Sequence, residues 1–265
     1  MTPRLRTTLF VVIASGFITN CAVVDAEPSR SIDRDEIVLG KSTALTGPAA
    51  ELGTNMRIGV VAALDEANQD GGIDGRPLRL IALDDGYELS RTVPNMLSLI
   101  NEHQVLAVVG NVGTPTAVAA IPIAHAKKTL YFGAFTGAGV LRKTPPDRYV
   151  INYRASYAEE VSAMVDALVN HAGLAPAEIA FFTQRDAYGD AGYTGGVQAL
   201  RRHGLVDESV VAHGRYDRNT IAVENALADI LAAPRLPRAV IMVGAYQPCG
   251  EFIRLAHEYV STHCS

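Results

Sequence analysis

The chain has 265 residues, of which 48% are apolar and 19% are charged, and its formal net charge is -5. The apolar fraction is ordinary for a globular protein and excludes a disordered chain. The acidic balance, the absence of a long basic run and the absence of Trp argue against nucleic-acid binding. The length suffices for one large domain or two small ones.

The N-terminus has the pattern of an export signal. Two arginines precede an apolar run over residues 9–24, and no acidic residue interrupts this run. The run is shorter than the roughly 20 residues that a spanning helix needs. We therefore expect residues 1–26 to be a signal peptide that is cleaved after Ala26. A retained membrane anchor and a lipoprotein attached through Cys21 are the alternatives.

After this segment, short apolar runs alternate with amphipathic segments. Val93, Met96, Leu97 and Ile100, for example, recur at the spacing of one helix face. In the first half, this alternation predicts strands at 36–40, 78–83, 105–109 and 130–133, and helices at 52–68, 89–102 and 114–126. In the second half, it predicts strands at 149–153, 178–182, 209–212 and 239–243, and helices near 161–168, 189–203, 223–231 and 252–259.

Residues 137–148 interrupt the alternation with two glycines and the pair Pro145–Pro146. Such a segment is a candidate crossing between domains. Continuous apolar strands separated by amphipathic helices predict parallel sheets with helices on their faces. The sequence therefore predicts an α/β fold with two Rossmann-like lobes. We assign residues 27–140 to the N-terminal lobe and residues 141–265 to the second lobe.

Motifs for catalysis, cofactors and metals are missing from the sequence. The segment Gly40–Thr43 resembles the end of a phosphate-binding loop, but the required earlier glycine is Asp35. No GxGxxG, GxSxG, HExxH or CxxC motif occurs. Asp84 and Asp85 could hold Mg²⁺, although a solvated turn before Gly86 is the preferred interpretation. We therefore predict no enzyme, no cofactor and no metal site.

The two cysteines beyond the export signal are separated by a predicted helix. A helix rises about 1.5 Å per residue, whereas a disulfide needs Cα atoms within roughly 7 Å. We therefore predict no bridge between Cys249 and Cys264.

Two loops that follow predicted strands carry small and hydroxylic residues. They are Gly110–Thr116 after the third strand and Ala134–Gly139 after the fourth. Thr114 is a candidate N-cap with Pro115 at the first helical position, which by itself indicates only a good helix start. A helix N-terminus with a nearby hydroxyl also binds carboxylates, so the two loops could jointly hold one.

A further signal is a set of segments that lie in the same order from about residue 36 to 259. They are Ile37–Pro48, Ala67–Leu78, Leu83–Glu88, Gly133–Gly137, Asp186–Gly189 and Gly244–Pro248. These segments resemble periplasmic solute-binding proteins of ABC transporters, in the class that binds branched-chain amino acids. The resemblance implies two lobes that close around a small ligand in the periplasm and deliver it to the membrane permease of an ABC importer.

The resemblance also implies a set of ligand-binding residues. In such proteins the loops after the third and fourth strands hold the carboxylate of an amino acid, and aromatic residues of the second lobe cover the ligand. The alternative for Tyr188 is packing beneath its own loop, and for Tyr246 a turn before Pro248. The matching positions are Val112, Thr114, Ala134, Thr136, Tyr188 and Tyr246.

This sequence departs from the pattern of that class in several places. Leu52 replaces a ligand-contacting aromatic residue, and Tyr87 and Gly113 occupy the positions of a disulfide in some relatives. We therefore expect a ligand from a wider class: a small amino acid or a related carboxylate or amide. The relatives continue beyond the helix near 248–259, so we expect a truncated C-terminal part. A non-binding remnant and an exported Rossmann-like enzyme are the alternative functions.

Overall fold

The computed structural model describes residues 35–263. The predicted signal peptide, Cys21 and Cys264 lie outside these residues, and Cys249 is a free thiol. None of the described helices combines the length and the apolar character that crossing a bilayer requires.

The first lobe is a five-stranded parallel sheet in the order β2-β1-β3-β4-β5. Val38, Val108, Tyr131 and Val150 project from one face of this sheet, here called the inner face, into a core beneath α2 and α3. The elements of this lobe are, in chain order, β1 (Ile37–Thr43), α1 (Ala50–Gln69), β2 (Leu78–Asp84), α2 (Leu89–Leu97), β3 (Ala107–Val109), α3 (Thr114–Ala126), β4 (Leu130–Phe132) and β5 (Val150–Ile151).

The second lobe is a three-stranded parallel sheet in the order β7-β6-β8. The central strand is buried along its whole length, because helices pack on both of its faces. The elements are α4 (Tyr157–Asn170), β6 (Ile179–Gln184), α5 (Ala187–Arg202), β7 (His213–Tyr216), α6 (Glu224–Leu231), β8 (Ala239–Val243) and α7 (Tyr246–His263). The prediction of two Rossmann-like lobes with parallel sheets is therefore confirmed.

The predicted strand at 149–153 does not begin the second lobe. It is β5, and its two residues pair with Tyr131 and Phe132 of β4 in the first sheet. The chain therefore leaves the first sheet after Ile151 and not at residue 141. A short apolar run indicates a strand, but it does not show which sheet the strand joins.

Two further predicted elements differ from the structure. The strand predicted at 209–212 is wrong, because residues 208–210 form a 3-10 turn and the strand follows at 213–216. This edge strand lacks an apolar run, since half-buried His213 and Arg215 alternate with buried Gly214 and Tyr216. The last helix begins at Tyr246, six residues before its predicted start.

Candidate functional site

A cavity of about 210 Å³ lies between the two lobes, here called the interlobe cavity. It is formed where parallel strands end at their carboxyl edges, the usual place for ligands in open α/β sheets. Its lining is mostly aromatic and apolar, with one charged residue. The lining residues are Leu52, Tyr87, Val112, Gly113, Phe135, Arg154, Tyr157, Tyr188, Gly244 and Tyr246.

The wall from the first lobe is a pair of backbone segments joined to each other. Val112, after β3, and Phe135, after β4, form an isolated parallel bridge. The N-cap of α3 is Gly113 with φ of 105°, so the prediction that Thr114 caps this helix is wrong. Glycine occupies this position because positive φ strains other residues. A Cβ there would also lie 2.0 Å from the Tyr87 ring.

Three predicted ligand-binding residues lie behind this wall and do not line the cavity. Thr114 and Thr136 are fully buried, and their hydroxyl oxygens are 2.6 Å apart in a mutual hydrogen bond. The Thr136 hydroxyl also accepts from the backbone N–H of Ala138 at 3.2 Å. Ala134 is buried as well. The two hydroxyl groups are close together, as the resemblance implies, and one of them donates its proton to the other.

The other three predicted residues line the cavity: Val112, Tyr188 and Tyr246. The Tyr188 ring lies 5.0 Å from the Tyr157 ring between centroids, and burial raises the pKa of its hydroxyl well above the usual value. This hydroxyl therefore stays protonated at neutral pH. Tyr246 is the first residue of α7 and not part of a turn before Pro248, and its side chain is 53% exposed.

Tyr87 is a cavity residue that the resemblance does not assign to the ligand. Its backbone is left-handed, with φ of 63°, and Asp85 accepts a hydrogen bond from its N–H at 2.9 Å. The Tyr87 hydroxyl accepts from Nε2 of Gln184 in the second lobe at 3.4 Å. Gln184 in turn accepts from the Tyr216 hydroxyl at 3.0 Å. This chain of hydrogen bonds links the two lobes directly behind the cavity.

Arg154 is the charged lining residue, and the sequence interpretation missed it. It lies between β5 and α4, where the chain passes from the first sheet toward the second. Its guanidinium carbon is 4.6 Å from the ring centroid of Phe135 and 5.3 Å from that of Tyr157. It directly follows the predicted strand at 149–153, so a systematic reading of residues at strand ends would have found it.

The turn at Asp84–Asp85 differs from the solvated turn that the sequence favours. Asp85 is fully buried and accepts from the hydroxyl of Ser42 at 2.7 Å. Burial raises the pKa of its carboxyl group. Asp84 is held by the Thr46 hydroxyl at 2.6 Å and by Arg91 at 2.7 Å. Within residues 35–263, no cluster of His, Cys, Asp and Glu side chains is suited to a metal ion.

A second set of contacts joins the lobes beside the cavity. Glu88 accepts from Arg218 at 2.9 Å and from Asn219 at 2.5 Å. Asn219 also donates to the carbonyl of Gly86 at 2.9 Å. Residues 86–88 follow β2 and residues 218–219 follow β7, so these bonds join one lobe to the other next to the lining residue Tyr87.

Comparison with solved structures finds many proteins of the same fold. A possible leucine/isoleucine/valine-binding protein from Rhodopirellula baltica is 59% identical, with a TM-score of 0.82. A substrate-binding periplasmic protein from Ralstonia solanacearum is 28% identical, with a TM-score of 0.77. The branched-chain amino acid substrate-binding protein LivJ from Streptococcus pneumoniae, solved with isoleucine, is 18% identical, with a TM-score of 0.68.

These matches cover most of this chain and a smaller part of its relatives. They cover 89% of this chain and 62% of the Rhodopirellula protein, and 84% of this chain and 61% of each of the other two. No curated protein sequence matches the chain.

The family model for periplasmic binding proteins matches residues 36–259. This range contains both sheets and every residue that lines the interlobe cavity. The match therefore covers the same part of the chain as the two-lobed architecture and its cleft. Together with this architecture, it shows that the chain belongs to the periplasmic binding protein family.

Proposed function

We propose that this protein is a receptor that captures a small solute between its two lobes. The interlobe cavity carries the proposal, because both lobes contribute lining residues and a ligand there would contact both at once. The cavity volume of about 210 Å³ lies below the roughly 300–1,000 Å³ of pockets for drug-sized ligands. The proposed ligand is therefore small: an amino acid or a related carboxylate or amide.

The proposal extends to export and delivery. Residues 1–26 would direct the chain to the periplasm, and the liganded receptor would dock on the permease of an ABC importer. The 59% identical Rhodopirellula protein is described as a possible leucine/isoleucine/valine-binding protein, which supports an amino acid as the first ligand class to test. The receptor role requires no catalytic residue.

Ligand-dependent thermal unfolding tests this function. The purified protein is heated with each of a panel of amino acids, small carboxylates and amides. A true ligand at a hundredfold excess over its Kd should stabilise the native state by about 2.7 kcal/mol. The absence of any shift across the panel contradicts the receptor function and supports a non-binding remnant.

Two exposed tyrosines provide a matched pair of variants. Tyr246 lines the cavity, whereas Tyr153 is 67% exposed and lies outside its lining. Tyr246→Ala should weaken ligand binding without lowering the stability of the unliganded protein, and Tyr153→Ala should leave binding unchanged. Equal binding by both variants would remove Tyr246 from the site.

The predicted hydroxyl pair is tested separately. The mutual hydrogen bond of Thr114 and Thr136 uses one of their two hydroxyl protons, so the other proton is the one that could bind a carboxylate. In that case Thr114→Ala combined with Thr136→Ala abolishes the thermal shift. An unchanged shift assigns these hydroxyl groups to the support of the wall.

A further inference from the structure

The lobes are joined at opposite edges of the first sheet. Within residues 35–263, the chain crosses from the first sheet to the second lobe once, after Ile151 of β5. The side-chain contacts of Glu88 with the second lobe follow β2 instead. In the order β2-β1-β3-β4-β5 these are the two outermost strands, so four strand spacings of about 4.8 Å place them roughly 19 Å apart. A motion that opens the lobes about the crossing therefore separates them most at Glu88.

Glu88, Arg218 and Asn219, here called the latch, hold the lobes together at this edge. The Glu88 carboxylate belongs to the first lobe, and each of its oxygens accepts from a donor of the second lobe. Nη2 of Arg218 donates to Oε2 at 2.9 Å, and Nδ2 of Asn219 donates to Oε1 at 2.5 Å. Nδ2 of Asn219 also donates to the Gly86 carbonyl at 2.9 Å. Hydrogen bonds to an ionised carboxylate are about twice as strong as those between neutral groups, so the latch should resist opening.

The second-lobe side of the latch is held within its own lobe. Asn219 has a left-handed backbone, with φ of 60°, a conformation that Asn tolerates. Nη1 of Arg218 lies 3.6 Å from Oδ2 of Asp186. Asp186 is the N-cap of α5 and accepts from the N–H of the lining residue Tyr188 at 2.9 Å. Arg218 therefore lies between one carboxylate of each lobe.

The latch residues lie outside the lining of the interlobe cavity. Their bonds therefore form without any contact to a ligand and favour the closed lobes by themselves. We propose that the latch sets the equilibrium between closed and open lobes, with Glu88, Arg218 and Asn219 as positioning residues for ligand capture. Affinity scales with the fraction of molecules in the binding-competent conformation, so a stronger latch gives tighter binding. This consequence for binding rests on the proposed receptor function, whereas the equilibrium is a property of the protein alone.

Small-angle X-ray scattering of the protein without added solute measures this equilibrium. We expect the unmodified protein to fit the closed arrangement of the two lobes. Arg218→Gln and Glu88→Gln should each lower the ratio of closed to open molecules about tenfold or more, which enlarges the radius of gyration. Asn219→Gly keeps the left-handed backbone, because glycine adopts positive φ freely, and should act in the same direction.

Variants on the two lobes separate the latch from ordinary structural support. Damage within one lobe is specific to one variant, whereas loss of a shared bond gives the same opening from either side. Arg218→Lys retains a cation for Glu88 and should restore much of the closed population that Arg218→Gln loses. Arg185→Gln is the matched control, since Arg185 pairs with Asp217 at 3.1 Å inside the second lobe. This control should leave the radius of gyration unchanged.

The scattering data have outcomes that overturn the latch. One is an equal radius of gyration for the unmodified protein, Glu88→Gln and Arg218→Gln. Another is opening by only one of these two variants when both are folded. If Arg218→Gln does not fold, the comparison of Glu88→Gln and Asn219→Gly with the unmodified protein decides. Failure of the thermal-shift panel contradicts the receptor function and leaves the scattering result unaffected, so the two proposals fail separately.

Discussion

The two sheets of this protein differ in how their faces are covered. In the second sheet, Ile179 and Phe181 of β6 enter a core with α4 and α5, while Ala180 and Phe182 enter another core with α6 and α7. In the first sheet, the inner face holds the core with α2 and α3. On the opposite, outer face, Phe132 and Ile151 are paired neighbours that are 45% and 47% exposed.

This difference shows where the first lobe is least stabilised. Parallel sheets are normally buried on both faces, and an exposed apolar side chain contributes little free energy of burial. Helix α1 packs along the outer face near β2 and β1, yet Gly53 is its one buried position. The second lobe therefore depends on two tightly packed faces, and the first lobe depends mainly on one.

One fully buried and one half-exposed phenylalanine should give the largest difference in the free energy of unfolding when each is replaced by alanine. Phe182 is fully buried between Tyr216 and Phe252, so Phe182→Ala should lower the free energy of unfolding by about 3–5 kcal/mol. Phe132→Ala should cost less than about 1 kcal/mol, because nearly half of this residue is already in water. Urea unfolding of both variants measures the two losses in the free energy of unfolding. Similar losses would show that the outer face is covered in solution.

Glycines in two helices should give the next largest effect. A Cβ at Gly196 of α5 would lie 2.3 Å from the buried ring of Phe181, whereas a Cβ at Gly59 of α1 would meet nothing within 4 Å. Gly196→Ala should therefore destabilise the protein by about 1–3 kcal/mol through overpacking. Gly59→Ala should stabilise it by up to about 1 kcal/mol through helix propensity.

Thermal unfolding of the two glycine variants checks these signs. Destabilisation by Gly59→Ala would mean that α1 packs against something on its open side. Tolerance of Gly196→Ala would mean that α5 can shift away from the second sheet.

Most of the fold is predictable from the sequence because the signals that matter are local. The predicted bounds of helix α3 and strand β8 match the observed ones, because the local sequence signals at both ends of each element are clear. The pairing of β5 with β4 is not predictable in this way, because contacts between residues that are distant in the sequence decide which of the two sheets β5 joins. The edge strand at 213–216 lacks an apolar run, and for that reason its position differs from the prediction.

The candidate site is only partly predictable. Tyr188, Tyr246 and Val112 line the cavity as the resemblance implies, whereas Thr114 and Thr136 lie behind its wall. A loop position in sequence does not show whether a hydroxyl group faces a cleft or a neighbouring hydroxyl. Arg154 directly follows the predicted strand at 149–153, so its place at a strand end is a usable signal, but the resemblance assigns it no role in ligand binding.

A buried amine should make the stability of the first lobe depend on pH above neutrality. Lys41 lies fully buried beside α1 and donates to the carbonyl of Gly110. Desolvation lowers the pKa of Lys41 to about 7, although Asp85 opposes the shift. Between pH 7 and the pKa that Lys41 has in the unfolded chain, the unfolded state holds one more proton than the native state does. Stability should therefore rise with pH in this window by up to about 1.4 kcal/mol per unit.

The difference between the unmodified protein and Lys41→Met isolates this contribution. The stability of the unmodified protein relative to the variant should rise between pH 7 and pH 10 and stay level between pH 5 and pH 7. Lys143→Met, at an exposed lysine paired with Asp147, serves as the control. A level difference across pH 7–10 would contradict the depressed pKa.

In the second lobe, stability should depend on pH on the acidic side of neutrality, and the effect should be smaller. His213 of β7 stacks on Tyr193, with 3.9 Å between centroids, and its Nε2 is 2.8 Å from the Thr183 hydroxyl. Burial, assisted by the charge of Arg215, lowers the pKa of His213 to about 4. As the pH falls from 6.5 toward 4, the unfolded state takes up the proton first, so stability is lost in that range.

His213→Phe keeps a ring against Tyr193 and should remove part of this acid-induced loss. His171→Gln, at the exposed end of α4, should leave the loss unchanged. Thermal unfolding at intervals between pH 7 and pH 4.5 distinguishes the two variants. The Lys41 effect lies above pH 7, and the His213 effect lies below pH 6.5. One pH series on Lys41→Met and His213→Phe therefore assigns each pH-dependent change in stability to its own sheet. Identical acid profiles for the unmodified protein and His213→Phe would show that the edge of the second sheet is open to water.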